Sequence, residues 1–296
     1  MATPHYILER IRNRQAVMKA VKGRVRKQKQ LPKQAQPDNV RLEYFQSLRA
    51  LLRDAHALLR SQLTPQLPDL LAAAARERGD ADGLHEDTAT ARRVQAIIDG
   101  VSRQWLQKHS DAELANLATK YANATSAFQK KELGKQLKAA VGVDVLASEP
   151  NLAPRLSQFA VGNVSLIKTM VAGHFQQIET MSLQSLRTGT RAEDLSDDIE
   201  ERYGVSESRA KLIARDQIGK LNGELNQVRQ EELGVSRFIW RTMHDNRVRL
   251  EHEQLDGRSF DWDAPPDEGI PGEPINCRCF GEPDLTDLLS DLAPGS

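Results

Sequence analysis

The residues best suited to chemistry gather near the C-terminal end of the chain: Asp245, His252, Cys277 and Cys279. Thiols and imidazole are soft donors that favour zinc, and a closed set of them makes a structural site. His252, Cys277 and Cys279 are three candidate ligands, and Asp245 or His244 can supply a fourth. Cysteines at i and i+2 on a strand point to the same face. Their Cα atoms then stand about 6.6–6.8 Å apart, at the limit of disulfide reach. The spacing favours a pair of thiols over a relaxed disulfide. A second account needs no metal. Two small buried cysteines fill a strand face, and Asp245 hydrogen-bonds His252 to pin the loop. Both accounts bring the four side chains into one small site.

Other reactive residue types are dispersed. His56, His85, His109 and His174 fall on separate helical segments and read as surface or core histidines. Asp261, Asp263, Asp267 and Glu268 read as a solvated loop. Arg215-Asp216-Gln217 lies on the helix leading into the C-terminal region, where a polar clamp outweighs a catalytic reading. There is no P-loop, dinucleotide fingerprint, nucleophile elbow or H-E-x-x-H. No complete catalytic set emerges, so the expected role is structural rather than enzymatic.

Charge is distributed unevenly. The chain has 41 basic and 41 acidic side chains, yet residues 1–49 hold 12 Lys/Arg against 3 Asp/Glu. Residues 244–296 hold 4 against 13. A basic head suits phosphate neutralisation, with Arg24, Arg26, Lys27 and Lys29 as candidate nucleic-acid contacts. A solvated helix face is the equal alternative. No aromatic ladder interleaves with these charges, so single-strand base stacking is not indicated.

These residues need elements to position them. Apolar residues at 3–4 spacing predict helices over residues 5–30, 40–60, 70–78, 86–108, 110–140 and 155–187. Ser110 with Glu113 forms a capping box for the fifth. A further helix is expected to stop before Gly204, and another, capped by Ser206, to end at Gly234. Pro32 and Pro37 mark a polar linker. Val235–Thr242 reads as a strand, Asp256-Gly257 as a turn, and Ser259–Trp262 and Cys277–Phe280 as short strands. The fold class is mainly α: a long helical N-terminal region followed by a small α+β C-terminal module. The expected divisions are a basic helical arm and linker (1–38), a helical region (39–190), the C-terminal module (191–283) and an acidic tail (284–296). Aromatic residues are only 5% of the chain, which argues against an all-β sandwich or barrel. No run of about 18 apolar residues exists, so no membrane span is expected. No apolar segment follows the first charges, which argues against a secretory signal. Two cysteines are too few for a disulfide scaffold and fit a reducing cytoplasm.

The order of motifs in residues 205–283 resembles the phage Mu protein F-like family of head-morphogenesis proteins. Arg215-Asp216-Gln217 on a helix is followed by Gly234 and Trp240. Then come Asp245, Arg247, Val248, Arg249, His252, Leu255, Asp256 and Gly257, and last Pro274, Asn276, Cys277, Arg278 and Cys279. The resemblance implies a minor capsid protein of a tailed double-stranded DNA phage or prophage. Such a protein acts in procapsid assembly at or near the portal vertex. Its implied partners are the portal protein, major capsid or scaffold proteins and non-specifically bound double-stranded DNA, with no membrane. Its implied location is the virion, after the host cytoplasm during assembly. Some members place a C-x-x-C pair where this chain has Arg249 and His252, which would complete a four-cysteine zinc site. Arg249 stays charged and cannot ligate a cation. It is instead a candidate partner for Asp245 or Asp256. Structural zinc is thus the one cofactor implied. A metal-dependent nuclease or toxin-like enzyme built on the Asp/His/Cys cluster is the alternative function.

Overall fold

A computed structural model describes residues 31–79, 88–141 and 151–286. In chain order the elements are α1 (Asp38–Gln62), a 3-10 turn (Thr64–Gln66), α2 (Leu67–Gly79), α3 (Ala89–Lys108), α4 (Asp111–Val141), α5 (Ala153–Thr188) and α6 (Ala192–Glu232). They continue with β1 (Arg237–Arg241), α7 (Leu250–Leu255), β2 (Ser259–Asp261) and β3 (Phe280–Pro283). The protein is mainly α with a small α+β module at its C-terminal end. The expected helix over 5–30, the basic residues Arg24, Arg26, Lys27 and Lys29, and most of the acidic tail lie outside the described residues. Among the described residues, no helix is long and apolar enough to cross a membrane.

The chain divides into two compact units, and α1, α4, α5 and α6 each contribute to both. One holds residues 42–79, 88–118 and 160–214 of those described. Its buried side chains recur at 3–4 spacing: Leu48, Leu52, Ala55 and Leu59 on α1, and Val94, Ile98, Val101 and Trp105 on α3. Such stripes drive helices together by removing apolar area from water, at about 25 cal/mol per Å². Trp105 Nε1 donates to the Leu51 carbonyl at 3.2 Å, so the indole is buried with its polar atom satisfied. The Ser110–Glu113 capping box forms as expected. Glu113 N donates to Ser110 Oγ at 3.3 Å, and Ser110 N to the Glu113 carboxylate at 3.0 Å.

The other unit holds residues 31–41, 119–141, 151–159 and 215–286. Ala122, Leu152, Leu221 and Leu225 form one of its cores. A three-stranded antiparallel sheet, ordered β2-β1-β3, follows α6. Gly234 ends the helix at φ +80°, a backbone region where only glycine is unstrained. Phe238 and Trp240 alternate inward on β1 and pack with Leu255, Trp262, Cys277 and Cys279.

Several expectations change. α6 is one continuous helix through Gly204 and Ser206, with no break between. Ser206 does not cap a new helix, because its hydroxyl is taken by His174 Nδ1 at 3.0 Å. A helical glycine costs only about 1 kcal/mol, which tertiary burial overrides. α7 was not foreseen, being six residues whose inward side chains are only His252 and Leu255. Residues 31–37 are not a free linker. Leu31 and Gln34 are buried, Gln34 donates to Gln136 at 2.7 Å, and Ala35 N donates to Glu132 at 2.9 Å. The prolines keep this segment extended, and its polar groups find partners on α4.

Candidate metal centre

The site grows from β1 and the two loops that return to it. The turn before α7 places Asp245, and the Arg249 backbone is extended just ahead of the helix. One turn of α7 then carries His252 inward beneath Trp240, whose ring it meets edge-on at 5.2 Å. Asp256 accepts from Thr242 N at 2.7 Å, and Gly257 N donates to the Trp240 carbonyl at 2.8 Å. Gly257 has φ +79°, so the expected Asp-Gly turn holds α7 against the end of β1.

The Pro-rich loop then returns the C-R-C segment to the same place. Cys277 and Cys279 are not on a strand, because β3 begins only at Phe280. They converge nonetheless. His252 Nδ1 lies 3.4 Å from Cys279 Sγ and 3.7 Å from Cys277 Sγ, and Cys279 N donates to Cys277 Sγ at 3.4 Å. All three are buried, with one ligand atom from each lying within 4.8 Å of the others. Both cysteines are free thiols.

Charge is shared across this trio. The Cys279 thiol hydrogen-bonds to the Cys277 sulfur and pushes the Cys277 pKa down against the cost of burial, with His252 helping. The same bond, with burial, pushes Cys279 up. The contact to Cys277 raises His252. The two cysteines therefore behave as one acid that loses a single proton readily.

The donor set fits a zinc ion. Ligands 2.0–2.3 Å from a tetrahedral centre stand about 3.3–3.8 Å apart, matching both nitrogen–sulfur separations. With Nδ1 turned to the sulfurs, Nε2 is buried without a hydrogen bond and lies 3.6 Å from the Glu268 carboxylate. Carboxylates in that position orient zinc-bound imidazoles. His252, Cys277 and Cys279 would hold the ion, which would supply a cross-link between α7 and the loop before β3.

Asp245 does not join them. It pairs with Arg278 Nε at 3.0 Å and with Arg247 at 3.7 Å. Arg278, between the two cysteines in sequence, explains the change: its guanidinium takes up Asp245. His244 lies 3.6 Å from Asp256. No fourth Cys, His, Asp or Glu completes the cluster among the described residues. Arg249 pairs with neither Asp245 nor Asp256 but donates to the Ile275 carbonyl at 2.7 Å, tethering the same loop through backbone. Asp216 pairs with Lys220 at 2.9 Å and accepts from Gln217 at 3.3 Å, all on α6. Sequence reasoning missed Arg278 and Glu268. The first was legible as the middle residue of C-R-C. The second carried no signal, since it lies in the irregular stretch between β2 and β3, where no periodicity fixes a side chain's direction.

Residues 176–281 match the family model described as Phage Mu protein F like protein. The match spans about a third of the chain, from the middle of α5 to the start of β3. A protein of Haemophilus influenzae (strain Rd), described only as uncharacterized, is 32% identical over 203 residues. The alignment covers 66% of this chain and 45% of that protein, so the chain spans under half of its relative. No solved structure matches.

Proposed function

We propose that this protein is a minor capsid protein of a tailed double-stranded DNA phage or prophage. It acts in procapsid assembly at or near the portal vertex. The observation that carries this reading is the order of the α6–β1–α7–C-R-C segment. It matches a phage head family, and its most distinctive residues fold into one buried junction. The proposed partners are the portal protein and the major capsid or scaffold proteins. Double-stranded DNA is reached in part through Arg24, Arg26, Lys27 and Lys29. The chain resides in the virion after assembly in the host cytoplasm.

The nuclease or toxin-like reading has less support. His252, Cys277 and Cys279 are buried and soft, as suits a closed structural ion, and Asp245 is held by arginine rather than offered to a catalytic metal. Deleting the gene from its phage or prophage tests the proposal, with heads examined by electron microscopy and the wild-type particle analysed for this chain. Aberrant or unfilled heads, and the chain in wild-type particles, are expected. Normal filled heads from the deletion, with the chain absent from wild-type particles, would reject it.

A further inference from the structure

Arg41 and Arg278 lie beside the C-R-C loop and share Asp38, while of the two only Arg278 faces Asp245. Arg41, at the start of α1, is 7% exposed. Its Nη1 lies 3.1 Å from Asp38, while its Nε is buried without a partner. Arg278 approaches the same Asp38 oxygen at 3.9 Å, so both arginines share a carboxylate that is 60% exposed. A Cβ placed on Gly219 would stand 3.2 Å from Arg41 Nη2, so Arg41 lies directly over that turn of α6. Arg215 precedes Gly219 by four residues and therefore sits on the same helix face. Asp216 beside it is taken by Lys220, and Arg215 has no carboxylate partner among the described residues. Burial pushes the Arg41 pKa down, and repulsion from Arg278 and Arg215 adds to this against the pull of Asp38.

We propose that Arg41, Arg215 and Arg278 form an oxyanion site that takes a phosphate group of a nucleic-acid backbone. Guanidinium forks match phosphate oxygens in pairs, and the desolvated Arg41 Nε is a donor awaiting an acceptor. Arg41 also belongs to the basic stretch 1–49, with its 12 Lys/Arg against 3 Asp/Glu. That excess of positive charge in the sequence favours a polyanion over an isolated carboxylate. The proposal rests on the reading that the protein meets DNA during head assembly, and it adds the residues that seat a phosphate.

Arg215→Gln is the informative variant, because Arg215 is half-buried and its loss strands no carboxylate. Binding of the full chain to a labelled duplex of arbitrary sequence is measured by anisotropy across a salt series. Melting is followed with and without inorganic phosphate. The variant should melt like wild type without ligand, bind the duplex several-fold more weakly at low salt, and show a salt slope reduced by about one. Inorganic phosphate should raise the melting temperature of wild type more than that of the variant, and Arg215→Lys should restore part of the binding. Equal duplex affinity and salt slope in wild type and Arg215→Gln would overturn the site. Phosphate protection of wild type alone, with no duplex binding by either chain, would keep the anion site and overturn its nucleic-acid source. The head-assembly reading stands or falls separately, on the gene deletion.

Discussion

Asn226 Nδ2 donates to the Gly281 carbonyl at 2.7 Å, tying the last turns of α6 directly to strand β3. Its Oδ1 accepts from Gln129 at 2.8 Å, Gln230 at 3.2 Å and Gln34 at 3.4 Å. One buried carboxamide therefore joins α4, the extended segment 31–37, α6 and the sheet. Such a network specifies one arrangement only while every member is satisfied.

Asn226→Ala should therefore destabilise the protein by about 2–4 kcal/mol, because it removes an acceptor that three buried amide groups share and one of the two donors to the Gly281 carbonyl. Urea denaturation measures this as a lowered midpoint. A midpoint equal to wild type would show that the network contributes nothing.

Two glycines should respond to alanine in opposite directions. At Gly223 a Cβ would collide with the Pro271 carbonyl and approach Gly272 Cα at 3.3 Å. Both are backbone atoms that cannot rotate away, so Gly223→Ala should cost about 1–3 kcal/mol. At Gly100, within α3, nothing lies within 4 Å. Gly100→Ala should gain about 0.5–1 kcal/mol through the unfolded state. Thermal melts of the two variants moving in the same direction would contradict this account.

The helices were legible because Leu48, Leu52, Ala55 and Leu59, or Val94, Ile98, Val101 and Trp105, repeat at the helical period. The convergence of His252 with the cysteines was legible from residue type and motif order. Its geometry was not. A strand was the natural setting for C-x-C, yet the cysteines sit in a loop whose path is set by Gly272 at φ +103° and Asn276 at φ +60°. The continuity of α6 across Gly204 was hidden because it depends on His174 engaging Ser206, a contact between residues distant in sequence. The clamping of residues 31–37 was hidden for the same reason, since Pro32 and Pro37 carry the composition of a linker whatever packs against them.

Acid should weaken the protein through His174. Burial, with His56 and Arg202 adding to it, lowers its pKa to about 4. Its Nε2 lies 3.4 Å from His56 Nδ1. An unfolded histidine takes up a proton near 6.5, while native His174 stays neutral until about 4. The unfolded state thus binds more protons in that window, so stability present above about 6.5 is lost as pH falls towards 4. The difference amounts to roughly 3 kcal/mol at most. Unfolding free energy measured from pH 7 to 4.5 should fall less steeply in His174→Gln. Identical slopes would show that His174 titrates normally.

The cysteine cluster should carry zinc. Elemental analysis of protein purified without chelator is expected to give a content near stoichiometric, abolished by Cys277→Ser. Chelation should lower the melting temperature, because a bound structural ion contributes directly to folding free energy. A content near zero would remove the metal and leave the trio held by hydrogen bonds alone.

The extended segment before α1 should behave as part of the folded body. Gln136 Nε2 donates to the Pro32 carbonyl at 2.9 Å, Ala35 N to Glu132 at 2.9 Å, and Gln36 Nε2 to the Arg278 carbonyl at 3.0 Å. Leu31 adds buried apolar area. Removing residues 1–37 would expose that area and leave the Glu132 carboxylate, the Gln136 amide and the Arg278 carbonyl without these partners. Removing only residues 1–30 keeps every one of these contacts. The chain starting at residue 38 should therefore melt several degrees below the chain starting at residue 31, since each kcal/mol shifts Tm by about 2–4 °C at this size. Calorimetry on the two truncations gives the comparison directly. Equal transitions would mean that residues 31–37 are a detachable linker after all, and that the polar groups facing them are satisfied equally well by water.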